Sequence, residues 1–423
     1  MNDKRKNAAI VSLSDEVSEI KQLAESLDYH IVETFIQHRK TPDVNSYVGS
    51  GKVEEIKEFI ENYDEDVTLI IVDGKLKPSQ WFILEKELNV EVYDRLRLIL
   101  AIFRERADRK EAKLQVRLAE LQYEKPFVRE LIHRKRGGEH PGLMAGGEYQ
   151  VDDYFEMIKK QMKKIRGDLK QICDERGIRR HHRHTGGFYL VSLAGYTNAG
   201  KSSLLNLLAN EKVKVEERLF STLSTTTRKI YNTNVPILLT DTVGFIQNLP
   251  AWMIDAFHST LEEIEVADVV LLVVDTSEKK ENFEKKLNIS LDELIELGVN
   301  SPIVIVLNKI DLISKEELNE KIEHLKEMRI AHYRKIVPIS VKNKENTDVL
   351  LDAIHSSLPH LVKITIQLPI NEKTQSFISW IYEKAHVSEI FYEEYVTLSI
   401  KCNTKIKSMI VSKCEEINGV VLP

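Results

Sequence analysis

Cysteine is almost missing from this 423-residue chain: Cys173, Cys402 and Cys414 stand far apart, and none belongs to a Cys-x-x-Cys pair. That spacing excludes a disulfide framework and a cysteine zinc site, and it suits free thiols in a reducing compartment. Long hydrophobic runs are missing too. The most apolar stretch, residues 266–274, is short and holds Asp268, so no membrane span is expected. Residues 1–15 lack the apolar core of a secretion signal, which points to the cytoplasm. What the chain does have is length and a 42% hydrophobic content, too much material for one core and enough for roughly two to four domains.

The net charge of −6 conceals a division. Residues 101–185 carry 21 Lys and Arg against 14 Asp and Glu, a net of +7, which leaves −13 for the remainder. A basic middle inside an acidic chain fits a polyanionic partner.

Residues 8–100 alternate β-rich runs (8–13, 31–36, 67–72, 90–93) with helical patterns (16–27, 52–63, 78–88), which predicts a small α/β domain with a largely parallel sheet. Gly49-Ser50-Gly51-Lys52 superficially resembles a phosphate loop. It lacks the four-residue spacing between glycines and has Val53 where a hydroxyl belongs, so it reads as a loop entering a helix. From Arg104 the pattern turns to long helices. Leu114, Leu118 and Leu121 form one apolar stripe; Ile158, Met162, Ile165, Leu169 and Ile172 form another. Between them, residues 134–148 hold five glycines and a proline and are not helical by composition. An antiparallel helical hairpin with a glycine-rich tip is expected, its tip opening with Arg134-Lys135-Arg136 and its second helix bearing Lys159, Lys160, Lys163 and Lys164. The run 179–184, followed by Thr185-Gly186-Gly187, reads as a linker whose basic groups either meet RNA phosphate or form a solvated hinge. The resulting division is 1–103, 104–185, 186–360 and a small α/β unit at 361–423, where β-rich runs at 364–368 and 395–400 flank a helical 374–385.

The third segment carries the chemistry. An apolar strand at 188–194 leads into Gly195-Tyr196-Thr197-Asn198-Ala199-Gly200-Lys201-Ser202 and then a helical pattern. This is Gly-x-x-x-x-Gly-Lys-Ser in the strand–loop–helix setting it needs, where backbone N–H groups cradle phosphate. Lys201 is placed to reach the β- and γ-phosphates and Ser202 to ligate Mg²⁺. A strand at 237–240 delivers Asp241-Thr242-Val243-Gly244: Asp241 holds the metal through water, and the Gly244 N–H senses the γ-phosphate. A buried strand at 269–274 ends in Asp275. Another, at 303–307, delivers Asn308-Lys309-Ile310-Asp311. The Asp311 carboxylate suits guanine N1–H and its exocyclic amine; adenine offers no such donor pair, so GTP is expected over ATP. A short strand at 337–340 brings Ser340-Val341-Lys342, whose main chain faces guanine O6. Phe220-Ser221-Thr222-Leu223-Ser224, continuing into Thr225, Thr226 and Thr227, forms a switch in which one threonine closes the Mg²⁺ shell. Chemistry alone leaves all four threonines open.

These residues resemble the HflX branch of ribosome-associated GTPases. The likeness rests on the loop at 195–202, the Phe-Ser-Thr-Leu…Thr-Arg segment at 220–228 and Asp-Thr-Val-Gly-Phe-Ile at 241–246. Val48–Lys52, Ser79-Gln80, Asp94-Arg95, residues 104–107 and residues 111–116 add to it. The resemblance implies a P-loop GTPase domain, a mixed and mostly parallel sheet with helices on both faces, with the other units on either side. It also implies association with the rRNA of the large ribosomal subunit through the basic helical region and N-terminal domain. It selects Thr222, with Ser202, as the metal ligands. Ser224-Thr225 stands where many members have Asp-Pro, and both Pro126-Phe127-Val128 and the tip at 137–148 depart from the common pattern.

Many GTPases place Gln directly after Asp-x-x-Gly to orient the attacking water; here Phe245 stands there and offers no hydrogen bond. Slow intrinsic hydrolysis, completed by a group supplied in trans, is expected of Lys201, Asn198 and Gly244 acting alone. Asn198 resembles an Asn that coordinates K⁺ in some G domains. A monomer is expected. A nucleic-acid remodeller using ATP in its N-terminal domain, and a GTP-regulated scaffold for protein partners, are the competing readings.

Overall fold

The computed structural model describes residues 6–136, 148–185, 188–209, 225–230, 233, 235–246, 250, 252–253, 261–328, 333–359, 362–402 and 404–422. The chain divides into two compact units, the first built mainly from residues 1–170 and the second mainly from residues 171–423.

In the first unit, β1 (Lys6–Ser12), β2 (Tyr29–Ile36), β3 (Val67–Val72) and β4 (Glu91–Asp94) form a sheet ordered β2-β1-β3-β4 with every neighbour parallel. The runs AAIV in β1 and LIIV in β3 are buried throughout, the signature of parallel strands covered on both faces. The crossovers are α1 (Ser18–Glu25), α2 (Ser50–Asn62) and α3 (Pro78–Leu88). Helix α3 begins on a proline, whose missing N–H costs nothing there, and Gln80 Oε1 accepts from the Lys77 N–H at 2.8 Å. It stops at Asn89, which takes the left-handed conformation at φ 52°.

Asp94 then caps α4 (Arg95–Arg106), accepting from the Arg97 N–H at 2.8 Å. The change to helix therefore comes before Arg104. Leu96, Leu98, Ile99, Leu100, Ile102 and Phe103 are all buried, so α4 shows no polar–apolar period to read. Helices α5 (Lys110–Arg136) and α6 (Glu148–Thr185) follow, and their stripes meet in one cluster of Leu118, Leu121, Val128, Ile158, Met162 and Ile165, with Leu114, Phe155 and Leu169 packed against it. Of the tip expected at 134–148, residues 134–136 are helical and close α5, Glu148 opens α6, and residues 137–147 lie outside the described residues. The linker expected at 179–184 is instead helical, because α6 runs to Thr185: the basic run holds neither Gly nor Pro to break it.

In the second unit, β5 (Tyr189–Ala194), β6 (Thr226–Lys229), β7 (Ile237–Asp241), β8 (Val269–Asp275), β9 (Ile303–Asn308) and β10 (Tyr333–Pro338) form a six-stranded sheet ordered β10-β9-β8-β5-β7-β6. Only the edge strand β6 is antiparallel to its neighbour. Helices α7 (Lys201–Ala209), α8 (Lys280–Glu296), α9 (Lys315–Glu327) and α10 (Thr347–Ser357) belong to the same region. Beyond it, β11 (Val362–Leu368), α11 (Glu372–Lys384), β12 (His386–Tyr392), β13 (Val396–Cys402), α12 (Thr404–Glu416) and β14 (Val420–Leu422) make an antiparallel sheet ordered β12-β13-β11-β14 with its own core. The strand pattern missed β12 and β14; the latter is three residues long and takes its identity from pairing with β11.

Candidate guanine-nucleotide site

Loops leaving the C-terminal ends of β5, β7, β8 and β9 converge at one edge of the six-stranded sheet, where the crevices of parallel α/β sheets receive ligands. The loop 195–200 joins β5 to α7. Asn198 takes φ 62° and Gly200 φ 97°, conformations that turn the chain back over the helix N-terminus. A Cβ on Gly200 would run into Asn308 Nδ2. The loop is tied to the segment after β7 by two backbone bonds, Thr197 N–H to Phe245 O at 2.9 Å and Phe245 N–H to Gly195 O at 3.0 Å. Phe245 is itself buried.

Lys201 is buried at the first turn of α7, and its ammonium donates to the carbonyls of Gly195 (2.9 Å) and Tyr196 (2.8 Å). Burial pushes its pKa down to about 8, while the carboxylate of Asp241 opposes the shift. Gly244 lies against this group: a Cβ there would stand 2.8 Å from Lys201 Nζ. Ser202 Oγ donates to Asp241 Oδ2 at 2.6 Å, and Thr242 Oγ1 donates to Leu193 O at 2.7 Å, locking the end of β7 against β5.

On the other side, Asn308 joins two loops. Its Nδ2 donates to Ala199 O at 2.9 Å and its Oδ1 accepts from the Val341 N–H at 3.2 Å. Asn308 is buried, so its role here is structural as well as positional. Ser340 Oγ donates to Asp311 Oδ1 at 2.6 Å and accepts from the Asn343 N–H, which fixes the half-exposed carboxylate beside the 340–342 loop. Lys309, at φ 65°, pairs with Asp275 at 2.5 Å.

The structure thus brings together Gly195–Ser202, Asp241–Gly244, Asn308–Asp311 and Ser340–Lys342. Phe220, Ser221, Thr222, Leu223 and Ser224 lie outside the described residues. Sequence reasoning missed three supports. The Lys286 ammonium of α8 lies 4.9 Å from the ring centroid of Tyr196, backing the phosphate loop. Thr276 Oγ1 donates to Asn308 O at 2.6 Å, and Lys321 of α9 donates to the carbonyls of Thr276 and Glu278 at 2.6 and 2.9 Å. No sequence signal marks them, because each acts on a partner distant along the chain: Lys286 on a ring, Thr276 and Lys321 on main-chain carbonyls.

Fold and site together define a P-loop GTPase. Three family descriptions match the chain: "GTP-binding GTPase N-terminal" over residues 14–104, "GTP-binding GTPase Middle Region" over 106–183 and "50S ribosome-binding GTPase" over 190–309. The chain is 42% identical over 385 residues to GTPase HflX of Thermococcus kodakarensis, covering 89% of this chain and 86% of that one. It is 40% identical over 379 residues to GTPase HflX of Methanocaldococcus jannaschii, covering 89% and 90%. A crystal structure of a protein named SsGBP with GDP matches at TM-score 0.52 and 30% identity, covering 83% of this chain and 98% of that one. The chain belongs to the GTPase HflX family and is a GTP-hydrolysing enzyme. No helix among the described residues is long and apolar enough to cross a membrane.

Proposed function

We propose that this enzyme couples GTP hydrolysis to association with the large ribosomal subunit in the cytoplasm, acting in protein synthesis, ribosome rescue or splitting, or ribosome assembly. The observation that carries the ribosomal part is the face of α6 on which Lys159, Lys160, Lys163 and Lys164 are all exposed, within the segment of net charge +7. Such a face suits phosphate contacts. The division into an N-terminal domain (1–103), a helical linker (104–185), a G domain (186–360) and a C-terminal unit (361–423) belongs to this reading.

At the site, Gly195–Ser202 would wrap the phosphates of GTP, with Lys201 turning from its own loop carbonyls to the β- and γ-phosphates. Asp311 would read guanine, and the 340–342 main chain would face O6. Ser202 and Asp241 present a hydroxyl and a carboxylate side by side, hard oxygen donors that suit Mg²⁺, with Thr222 as the switch ligand. The ion would supply charge neutralisation on the phosphates. Phe245 is packed into the protein and tied by its main chain, so it does not orient water. That task falls to the ribosome. Asn198 is exposed at the rim of the phosphate loop in a left-handed turn, a position that suits K⁺. A higher GTPase rate in KCl than in NaCl is expected, and equal rates would remove the K⁺ role.

Co-sedimentation with separated ribosomal subunits tests the main proposal. The large subunit should retain the protein with a non-hydrolysable GTP analogue and release it with GDP, and should accelerate turnover. Turnover indifferent to ribosomes would sink it.

A further inference from the structure

Within the first unit, α3, α4, α5 and the start of α6 enclose an open cavity of about 330 Å³ that no motif of the nucleotide site uses. Its volume is at the lower end of ligand pockets, enough for one two-ring base and its sugar. Five aromatic residues, Trp81, Tyr93, Tyr123, Phe127 and Tyr154, share its wall with Arg97 and Arg104. The rings are held by one another. Trp81 meets Phe127 edge-to-face at 5.4 Å, and Tyr123 lies 4.7 Å from Phe127 at 34°. Arg97 stacks over Tyr93 at 4.3 Å, and Trp81 Nε1 is anchored on Glu85 at 2.9 Å. A wall of rings fixed in this way offers π-faces without the cost of ordering them.

The charges at the rim complete a recognisable set. Arg104 is exposed, its side chain 68% accessible, and reaches the carboxylate of Glu120 only at 3.8 Å. Glu124 accepts from the Tyr154 hydroxyl at 3.3 Å and stands 3.7 Å from Arg117. Glu120 already accepts from Arg117 at 3.2 Å; with about four lone-pair positions on a carboxylate, Glu120 and Glu124 both retain capacity to accept from a base amine. Aromatic faces, an amine acceptor and an exposed guanidinium for phosphate are the elements by which proteins hold a splayed base of single-stranded RNA.

We propose that this pocket receives one unstacked purine of a single-stranded RNA, stacked among the aromatic side chains, its amine toward Glu120 or Glu124 and its phosphate on Arg104. The inference rests on the ribosomal reading for which RNA is bound, but the pocket itself is testable without ribosomes.

The test is titration of the full-length protein with a short single-stranded oligoadenylate carrying one 2-aminopurine, following its fluorescence. The wild-type protein should quench the probe. Tyr154→Ala and Arg104→Gln, both at exposed positions, should each weaken binding about tenfold while melting temperature and circular dichroism stay unchanged. Oligouridylate should bind more weakly and duplex RNA should not compete. Unchanged affinity in both variants, equal competition by duplex RNA, or saturation of the site by free AMP or ATP as tightly as by the RNA would each overturn the assignment. Loss of quenching in the variants with large-subunit co-sedimentation intact would leave both readings standing. Failure of the wild-type protein to co-sediment, with quenching intact, would remove the ribosomal reading alone.

Discussion

Two side chains at the nucleotide site show how much one residue's surroundings decide. Asp311 accepts from Ser340, and an Asn at this position keeps an oxygen for that bond while replacing the other carboxylate oxygen with an N–H donor. Asp311→Asn should therefore fold normally and weaken GTP binding by about 10- to 100-fold, the scale of losing charge-assisted hydrogen bonds worth ~1.5–3 kcal/mol. Xanthine carries a carbonyl where guanine carries its amine, so xanthosine triphosphate should bind this variant better than GTP does; competition titration reads the reversal. Lys201 carries a pH signature. Burial holds its pKa at about 8 against an ordinary 10.5, so the burial penalty on native stability is fully present below about pH 8 and lifts as the pH rises toward 10.5. Phosphate brought against the ammonium favours its charged form, so binding takes up a proton above about pH 8. Nucleotide affinity should fall with rising pH there, and calorimetry in buffers of different ionisation enthalpy should register the uptake.

At the scale of elements, the nucleotide site is made by strand ends and by the bonds between loops. Asn308 links the phosphate loop to the 340–342 loop, and Phe245 ties the phosphate loop to the segment after β7, so hydrogen bonds join three sequence-distant segments. Helix α6 shows the opposite design: a long element whose inner stripe packs on α5 while its lysines remain in solvent. If those lysines meet phosphate, large-subunit binding should weaken linearly on a plot of log affinity against log salt. Replacing Lys159, Lys160, Lys163 and Lys164 by Gln should flatten that slope by about 4 for four lost contacts, a change read by filter binding across a salt series. A slope unchanged by the substitutions would assign the face to solvation alone.

Across the whole molecule, the three sheets differ in how plainly the chain announced them. The parallel strands of the first and second sheets were legible because burial on both faces leaves near-continuous apolar runs such as LIIV in β3 and VVLLVV in β8. The phosphate and guanine motifs were legible because each follows such a strand at a fixed offset. The antiparallel C-terminal sheet was half hidden: β12 ends in exposed Phe391 and Tyr392, and β14 has meaning only against β11. By itself, then, the amino-acid order determined local matters: where strands end, and which of the loops that follow carry the Gly-x-x-x-x-Gly-Lys-Ser and Asn-Lys-x-Asp spacings. Those depend on neighbours in the chain. Only the tertiary structure decided what depends on residues far apart in sequence. It buried Lys201 beside Asp241, set Lys286 against Tyr196, carried α6 through the expected linker, and gathered Trp81, Tyr93, Phe127 and Tyr154 around one cavity. Aromatic residues from separate elements show no period along the chain, and packing alone brings them together.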